Sequence, residues 1–191
     1  NGGEAKRLTF HSANDYPYDF TTDNPSVVFG KQRNEPKTSV RFANRTLFLK
    51  LYSVPVKGGR SVMMNAAGTE QVHFNSKGNQ IVFQDRKGYE DAWRKRHRSA
   101  VTRDVWMSDM SAKQFRKISA FEGEDREPKF SADDQSIYYL SEKKGAQNIF
   151  KVGVTGSGEQ QLTQFNDHPV RHLSRSASDL LCFTWNGEIY T

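Results

Sequence analysis

The chain has one cysteine, Cys182, and it lies inside the apolar run LLCF. A lone thiol cannot close an intrachain disulfide or supply a thiolate pair for a metal, and in that setting it reads as a small buried hydrophobe. No stretch approaches the ~20 apolar residues that a membrane helix requires, so no spanning helix is expected. The first residues, NGGEAKRLTF, lack the charged start and apolar run of a signal peptide, and they lack an initiating Met, which reads as a fragment or processed chain. A Gly-rich phosphate loop and an HExxH pair are also missing. Sustained helical periodicity occurs nowhere, which removes helix bundles and α/β folds from consideration.

What is present is aromatic content of 12% in a chain of mean hydropathy −0.80, too rich in rings for a disordered tail. At 191 residues there is length for one good-sized core or two small ones. The net charge of +6 is concentrated: Arg94, Lys95, Arg96, Arg98 and Arg103 lie in one acid-free stretch, leaving 28 − 5 = 23 basic against 22 acidic residues elsewhere. A pI near 9.4 would suit a polyanion if the charge ran along one face, but the confinement argues otherwise.

The chain aligns on itself. YPYDFTTDNPSVVFG, EQVHFNSKGNQIVFQ, REPKFSADDQSIYYL and PVRHLSRSASDLLCF share one grammar: an alternating apolar run, a polar turn, and a second run ending in aromatics. First-run anchors are Phe20, Phe74, Phe130 and Leu173; second-run anchors are Phe29, Phe83, Tyr139 and Phe183. A third run follows each, anchored by Tyr52, Trp106, Phe150 and Tyr190, and a fourth appears as AKRLTF, SVMMNA, FRKISA and QQLTQF. Short alternating strands between Gly/Asn/Asp/Ser turns, four to a unit at ~40–50 residue spacing, define an all-β chain of the β-propeller type. The expected division is a last strand of a preceding blade (1–9), blades at 15–65, 70–119 and 125–164, and an incomplete blade at 168–191. Those four blade equivalents read as an arc of a six- or seven-bladed propeller; the rival arrangement has the N-terminal strand closing a four-bladed ring.

The interval from second to third anchor is uneven. Phe29 to Tyr52 and Phe83 to Trp106 each span 23 residues, against 11 from Tyr139 to Phe150 and 7 from Phe183 to Tyr190. Two neighbouring blades therefore carry insertions in the same loop, KQRNEPKTSVRFANR (31–45) and the basic stretch. In an up-and-down blade this loop shares a face with the inter-blade loops, HSANDYP, EGEDREP and NDHP, and long loops on one face of a rigid scaffold are where binding concentrates. Arg94, Lys95, Arg96, His97, Arg98 and Arg103 form the candidate peptide-binding rim. Three readings stand beside one another: a solvated rim paired with Glu122, Glu124, Asp125 or Glu127, a site for anionic peptides or carboxylates, and a nucleic-acid patch. The last lacks the stacking aromatics it needs. Trp93 has two readings of its own, stacking on a guanidinium or packing on the blade beneath.

No catalytic constellation emerges. Ser157 in TGSGE lacks G-x-S-x-G spacing and falls at a hairpin turn. His168 and His172 are four apart, without a third ligand. The carboxylates of GEDRE carry no mark of a perturbed pKa. No catalytic residue, cofactor or metal is expected in this chain.

LYSVPVKGG, NIFKVGVTGSGEQQLT and KFSADDQSIYYLSE resemble the repeats of propellers in tricorn-type proteases and in the periplasmic Tol-Pal system, with Ala132 and Asp134 at the Pro and Gly of the Ser-Pro-Asp-Gly unit. Lys87-Gly88-Tyr89, then Thr102-Arg103 and Trp106, resembles a stretch of the N-terminal propeller of tricorn-type serine peptidases. The resemblance implies a peptide-steering or docking propeller in a larger peptidase whose nucleophile and base lie outside these residues. Its implied partners are peptides or unfolded segments, a PDZ module and a catalytic domain, and further copies of the chain; nucleic acid is not among them. The implied compartment is the periplasm or the exterior. The alternative is a non-enzymatic periplasmic scaffold that binds partner proteins. The family's carboxylate-anchoring arginine pair has no counterpart in HSANDYP, which leaves Arg94, Arg96, Arg98 and Arg103 as candidates by location alone.

Overall fold

A computed structural model describes residues 3–11, 14–22, 25–31, 49–89, 91 and 93–191. Fifteen strands form antiparallel sheets, with no helix among the described residues. The first sheet comprises β1 (Asp15–Phe20), β2 (Ser26–Lys31), β3 (Lys50–Pro55) and β4 (Val62–Asn65). The second comprises β5 (Thr69–Phe74), β6 (Gln80–Asp85), β7 (Val105–Asp109) and β8 (Gln114–Lys117). The third has β9 (Asp125–Phe130), β10 (Ser136–Ser141), β11 (Asn148–Gly153) and β12 (Gln160–Gln161). The fourth has three strands, β13 (Arg171–Arg175), β14 (Leu181–Trp185) and β15 (Glu188–Tyr190). Each sheet runs in sequence order, the meander of a propeller blade.

A single sheet has no interior, so each blade buries its apolar faces against its neighbours. Val28 and Leu51 of blade 1 pack with Val72, Phe74, Ile81 and Phe83 of blade 2. Val82, Val105 and Met107 meet Phe130, Ile137, Tyr139 and Phe150 across the next interface. Tyr138, Leu140 and Ile149 meet Val170, Leu173 and Phe183 across the third. The first strands β1, β5, β9 and β13 stand side by side in that order, and no packing of comparable extent brings β13 round to β1 among the described residues. The blades form an arc.

Two sets of hydrogen bonds fix one blade on the next. Along the inner strands, Phe74 N donates to Asp19 Oδ2 (3.0 Å) and Phe130 N to His73 Nδ1 (3.3 Å). Burial, with Lys129 nearby, pulls the His73 imidazole down to about 4, which leaves it neutral and Nδ1 able to accept. Between blades 3 and 4 a different bond is made, two residues before that position on β13: Leu173 N donates to Glu127 Oε2 (2.6 Å). Gln71, Glu127 and His172 all have positive φ, and each lies at a register shift of its inner strand, a β-bulge repeated blade after blade.

The second set joins the turns between first and second strands. Asp134 and Asp179 adopt φ of 57° and 68°, where the repeat would place glycine. The Asp134 carboxylate accepts from Ser76 N (3.0 Å) and the Ser76 hydroxyl, and Asp179 Oδ1 accepts from Ala132 N (2.9 Å). In blade 2 the same position is Gly78, φ 70°, where a Cβ would run into the Thr22 hydroxyl. The aspartates tolerate the left-handed backbone and use it to reach the neighbouring turn.

Residues 3–11 carry no strand, and Leu8 packs on Phe29, Tyr52 and Val54 on the face of blade 1 turned away from blade 2. One sequence expectation needs correction. In the fourth repeat the first-strand anchor is not Leu173. Arg175 stands opposite Leu181 as Phe130 does opposite Ile137, and the intervening turn closes through Ser176 N to Leu180 O, one residue tighter than Ser131 N to Ser136 O. The shorter turn accounts for one position of the two between Leu173 and Arg175; the other reflects that the inward site is held by an arginine where a hydrophobe is expected.

Replacing Asp134 by Ala removes the inter-blade acceptor and strains the turn, with an expected loss of about 1–3 kcal/mol. Asp134→Gly relieves the strain and loses only the hydrogen bonds. Urea denaturation midpoints should therefore fall in the order wild type, Gly, Ala; an Ala variant as stable as wild type would show that the latch contributes nothing.

Candidate functional site

The β6–β7 connection, residues 86–104, arches over the same end of the blades as the connections β8–β9 (118–124) and β12–β13 (162–170). The β2–β3 insertion falls on 32–48, outside the described residues.

The base of the arch is an ionic knot built from the Lys-Gly-Tyr and Thr-Arg-x-x-Trp residues. Lys87 Nζ donates to Thr102 O (2.7 Å) and Asp104 Oδ2 (2.5 Å) and lies 3.4 Å from Asp85 Oδ2. Burial works against its charge, but Asp104 and Asp85 together hold the ammonium above its ordinary value. Asp85 in turn accepts from Asp104 N (2.8 Å) and Trp106 Nε1 (3.0 Å), tying the arch to β7. Thr102 Oγ1 donates to Ser99 O and approaches Glu122 O of the next connection.

Arg103 departs from the rim expectation. It is 7% exposed, with Nε 3.2 Å from Glu70 Oε2 and Nη1 3.5 Å from Glu124 Oε1, while Arg126 Nε reaches Glu124 Oε2 at 2.6 Å. Burial alone would raise Glu70, yet Arg103 and Arg86 hold it below the usual carboxylate range. Glu124 therefore pairs with Arg103 and Arg126 and not with Arg96 or Arg98. The reason is direction: position 103 is the last but one before β7 and points back into the blades. Glu70, Arg103 and Arg126, with Tyr16, Tyr18 and Glu127, line a recess of about 290 Å³ beside the inner strands.

The crest of the arch is different. Arg96 has φ 55°, and its N–H donates to Glu142 Oε2 (2.9 Å), a nearly buried carboxyl on the β10–β11 turn that burial holds above its ordinary range. Lys95 Nζ reaches Asp167 O at 3.3 Å, and Arg94 N closes a turn onto Asp91 O. Arg98 lies over the Phe121 ring at 5.6 Å, and His97 is half-buried. Trp93, 70% exposed, receives the Arg171 guanidinium of β13 at 4.4 Å, so it stacks on a cation and does not pack beneath. The arch thereby touches blades 3 and 4 as well as its own. Glu142, Phe121 and Arg171, its receiving residues, carry no motif of their own.

Asp125 opens β9 directly beneath. Its N–H donates to Arg103 O (3.0 Å), and its carboxylate is wholly buried without a partner in good geometry. Burial pushes it up to about 7, outweighing the nearby Ser141 and Ser119 hydroxyls. The remaining candidates are structural. Ser157 closes a glycine turn through Gly153 N (2.8 Å), His172 Nδ1 meets Thr184 Oγ1 (2.9 Å), and the His168 ring abuts Trp185.

Radially arranged antiparallel meanders, three of four strands and one of three, with loops gathered at one end define a propeller module. The chain matches the family model of the tricorn protease N-terminal beta propeller domain over residues 1–191, and it belongs to that family. It is 26% identical over 135 residues to a tricorn protease homolog of Saccharolobus solfataricus, covering 68% of this chain and 12% of that protein. Among solved structures, TolB from Acinetobacter baumannii superposes with a TM-score of 0.64 at 13% identity, over 91% of this chain and 42% of TolB. A tricorn protease structure superposes with a TM-score of 0.51 at 16% identity, over 86% of this chain and 20% of the protease. The structural likenesses show the fold. The chain spans about an eighth of the length of the curated relative it matches.

Arg103→Ala takes one of two arginines from each of Glu70 and Glu124, which keep Arg86 and Arg126, and it should destabilise the protein by about 1.5–3 kcal/mol in denaturant titrations. Arg94→Ala should stay within about 0.5 kcal/mol; equal effects would contradict this division between base and crest. For Asp125 the folded pKa lies above the ordinary 3.8, so its favourable contribution is complete below about pH 4 and is lost as pH rises through about 7. Asp125→Asn should remove up to about 4 kcal/mol of that slope. Thermal midpoints between pH 4 and 8 that fall identically in both proteins would reject the assignment.

Proposed function

We propose that this propeller docks extended peptides for a catalytic domain outside the chain, with the basic arch as its contact rim. One observation carries the reading: the crest sets Trp93, Arg94, Lys95 and Arg98 toward solvent while its base is locked into the blades. Rigid support beneath an exposed cationic and aromatic crest favours charge-assisted contact with acidic side chains or a peptide C-terminus. Family membership supports placing the module in a peptidase. The scaffold alternative rests on fold likeness to TolB alone.

Fluorescence anisotropy with short labelled peptides, carrying free or amidated C-termini at low and moderate salt, tests the reading. Arg94→Glu with Lys95→Glu should weaken binding about tenfold or more at low salt and leave the unfolding midpoint in place. An unchanged affinity, or no binding by the wild type, defeats it.

A further inference from the structure

Three residues hold one position on successive inner strands, each just before the strand's last residue. Asp19 stands opposite Val28, His73 opposite Val82 and Lys129 opposite Tyr138. Asp19 and His73 accept the amide of the next blade. Lys129 has no such use, because an ammonium carries no lone pair to accept with. Among the described residues it also makes no hydrogen bond or close ion pair.

The surroundings of Lys129 disfavour an ammonium. Burial is the largest influence and outweighs the carboxylates of Glu127 and Asp19; Arg175 of β13 adds a second cation, and the amine is held below its ordinary value. The other groups nearby leave it without a partner. The His73 imidazole is neutral, and Glu127 is engaged by Leu173 N. Across the strand pair, the Tyr138 hydroxyl donates to Asp179 Oδ2 (2.8 Å), and Lys151 lies over its ring at 5.4 Å. A desolvated lysine beside another cation is the setting that frees an amine lone pair for nucleophilic attack.

We propose that Lys129 is a modification site for small aldehydes, its amine condensing with the carbonyl to form an imine. The nitrogen lone pair attacks the carbonyl carbon, the C=O π pair moves to oxygen, and a proton passes from nitrogen to that oxygen. The carbinolamine then loses water as the C=N bond forms, and nothing is oxidised or reduced. An aldehyde fits this cluster better than carbon dioxide does. A carbamate would set a further anion beside Glu127 and Asp19, whereas an imine adds no charge. The partial burial of Lys129 restricts the partner to a small carbonyl compound.

The test is reductive labelling of the whole chain with acetaldehyde and cyanoborohydride, quantified lysine by lysine by peptide mass spectrometry. At pH 7, Lys129 should be ethylated about threefold or more faster than the exposed Lys77 and Lys113, and the ratio should shrink toward pH 10 as exposed lysine amines deprotonate. Glu127→Gln keeps an acceptor for Leu173 N but removes a carboxylate, so it should raise the Lys129 rate at pH 7 about twofold. Parallel acylation with acetic anhydride reports the free amine independently of condensation. Lys129 ethylated no faster than Lys77 at pH 7, a ratio that does not change with pH, or no gain in Glu127→Gln overturns the proposal. Fast acylation of Lys129 without fast ethylation overturns it as well, since it shows a free amine at which condensation is blocked.

Discussion

A blade of this protein is one sheet thick and has nothing beneath it to bury its apolar side chains. The dominant stabilisation, removal of apolar area from water, is therefore available only where two blades face each other. Val82 and Tyr139 lie in the same buried cluster although they belong to different sheets. The other features follow from this constraint. The inner-strand bonds from Phe74 to Asp19 and from Phe130 to His73 set the height of one sheet against the next. The turn bonds from Asp134 and Asp179 fix the same relation at the far end. Apolar contact supplies most of the energy without direction, and these few polar contacts supply the register.

The same logic explains the split within the basic stretch. Its residues are uniform in charge but unequal in depth. Arg103 sits where the chain re-enters a sheet, and it must bring its charge into the protein with Glu70 and Glu124 as partners. Arg94 and Lys95 sit at the exposed crest, where Lys95 reaches the Asp167 carbonyl. A buried arginine with two carboxylates is a framework element.

Much of the architecture was legible in the residues because period-2 alternation and the polar turns recur along the chain, and each blade reuses one pattern. The interval between anchors placed the β6–β7 insertion at the correct strands, and membership of the tricorn N-terminal propeller family agrees with the resemblance drawn from the Lys-Gly-Tyr stretch. The failures have local causes. Hydrophobicity points to Leu173 as the anchor, whereas the pairing puts the charged Arg175 at that position after a shorter turn. Arg103 was grouped with its neighbours because a string of letters carries no depth. Phe121, Glu142 and Arg171 were missed because each acquires a role only when the arch crosses to other blades, and no sequence spacing encodes that crossing.

How the arch is held separates two responses to salt. Its crest is fastened by partners that dissolved ions compete for weakly: a backbone amide on Glu142, a lysine on a peptide carbonyl, and guanidinium groups on the Phe121 and Trp93 rings. Attraction of a mobile anion toward the same crest acts through water and is screened over a Debye length. Rising ionic strength would thus blunt the long-range pull of the rim while leaving its shape in place. On the docking reading proposed above, such a surface would loosen its hold on a charged chain without itself coming apart.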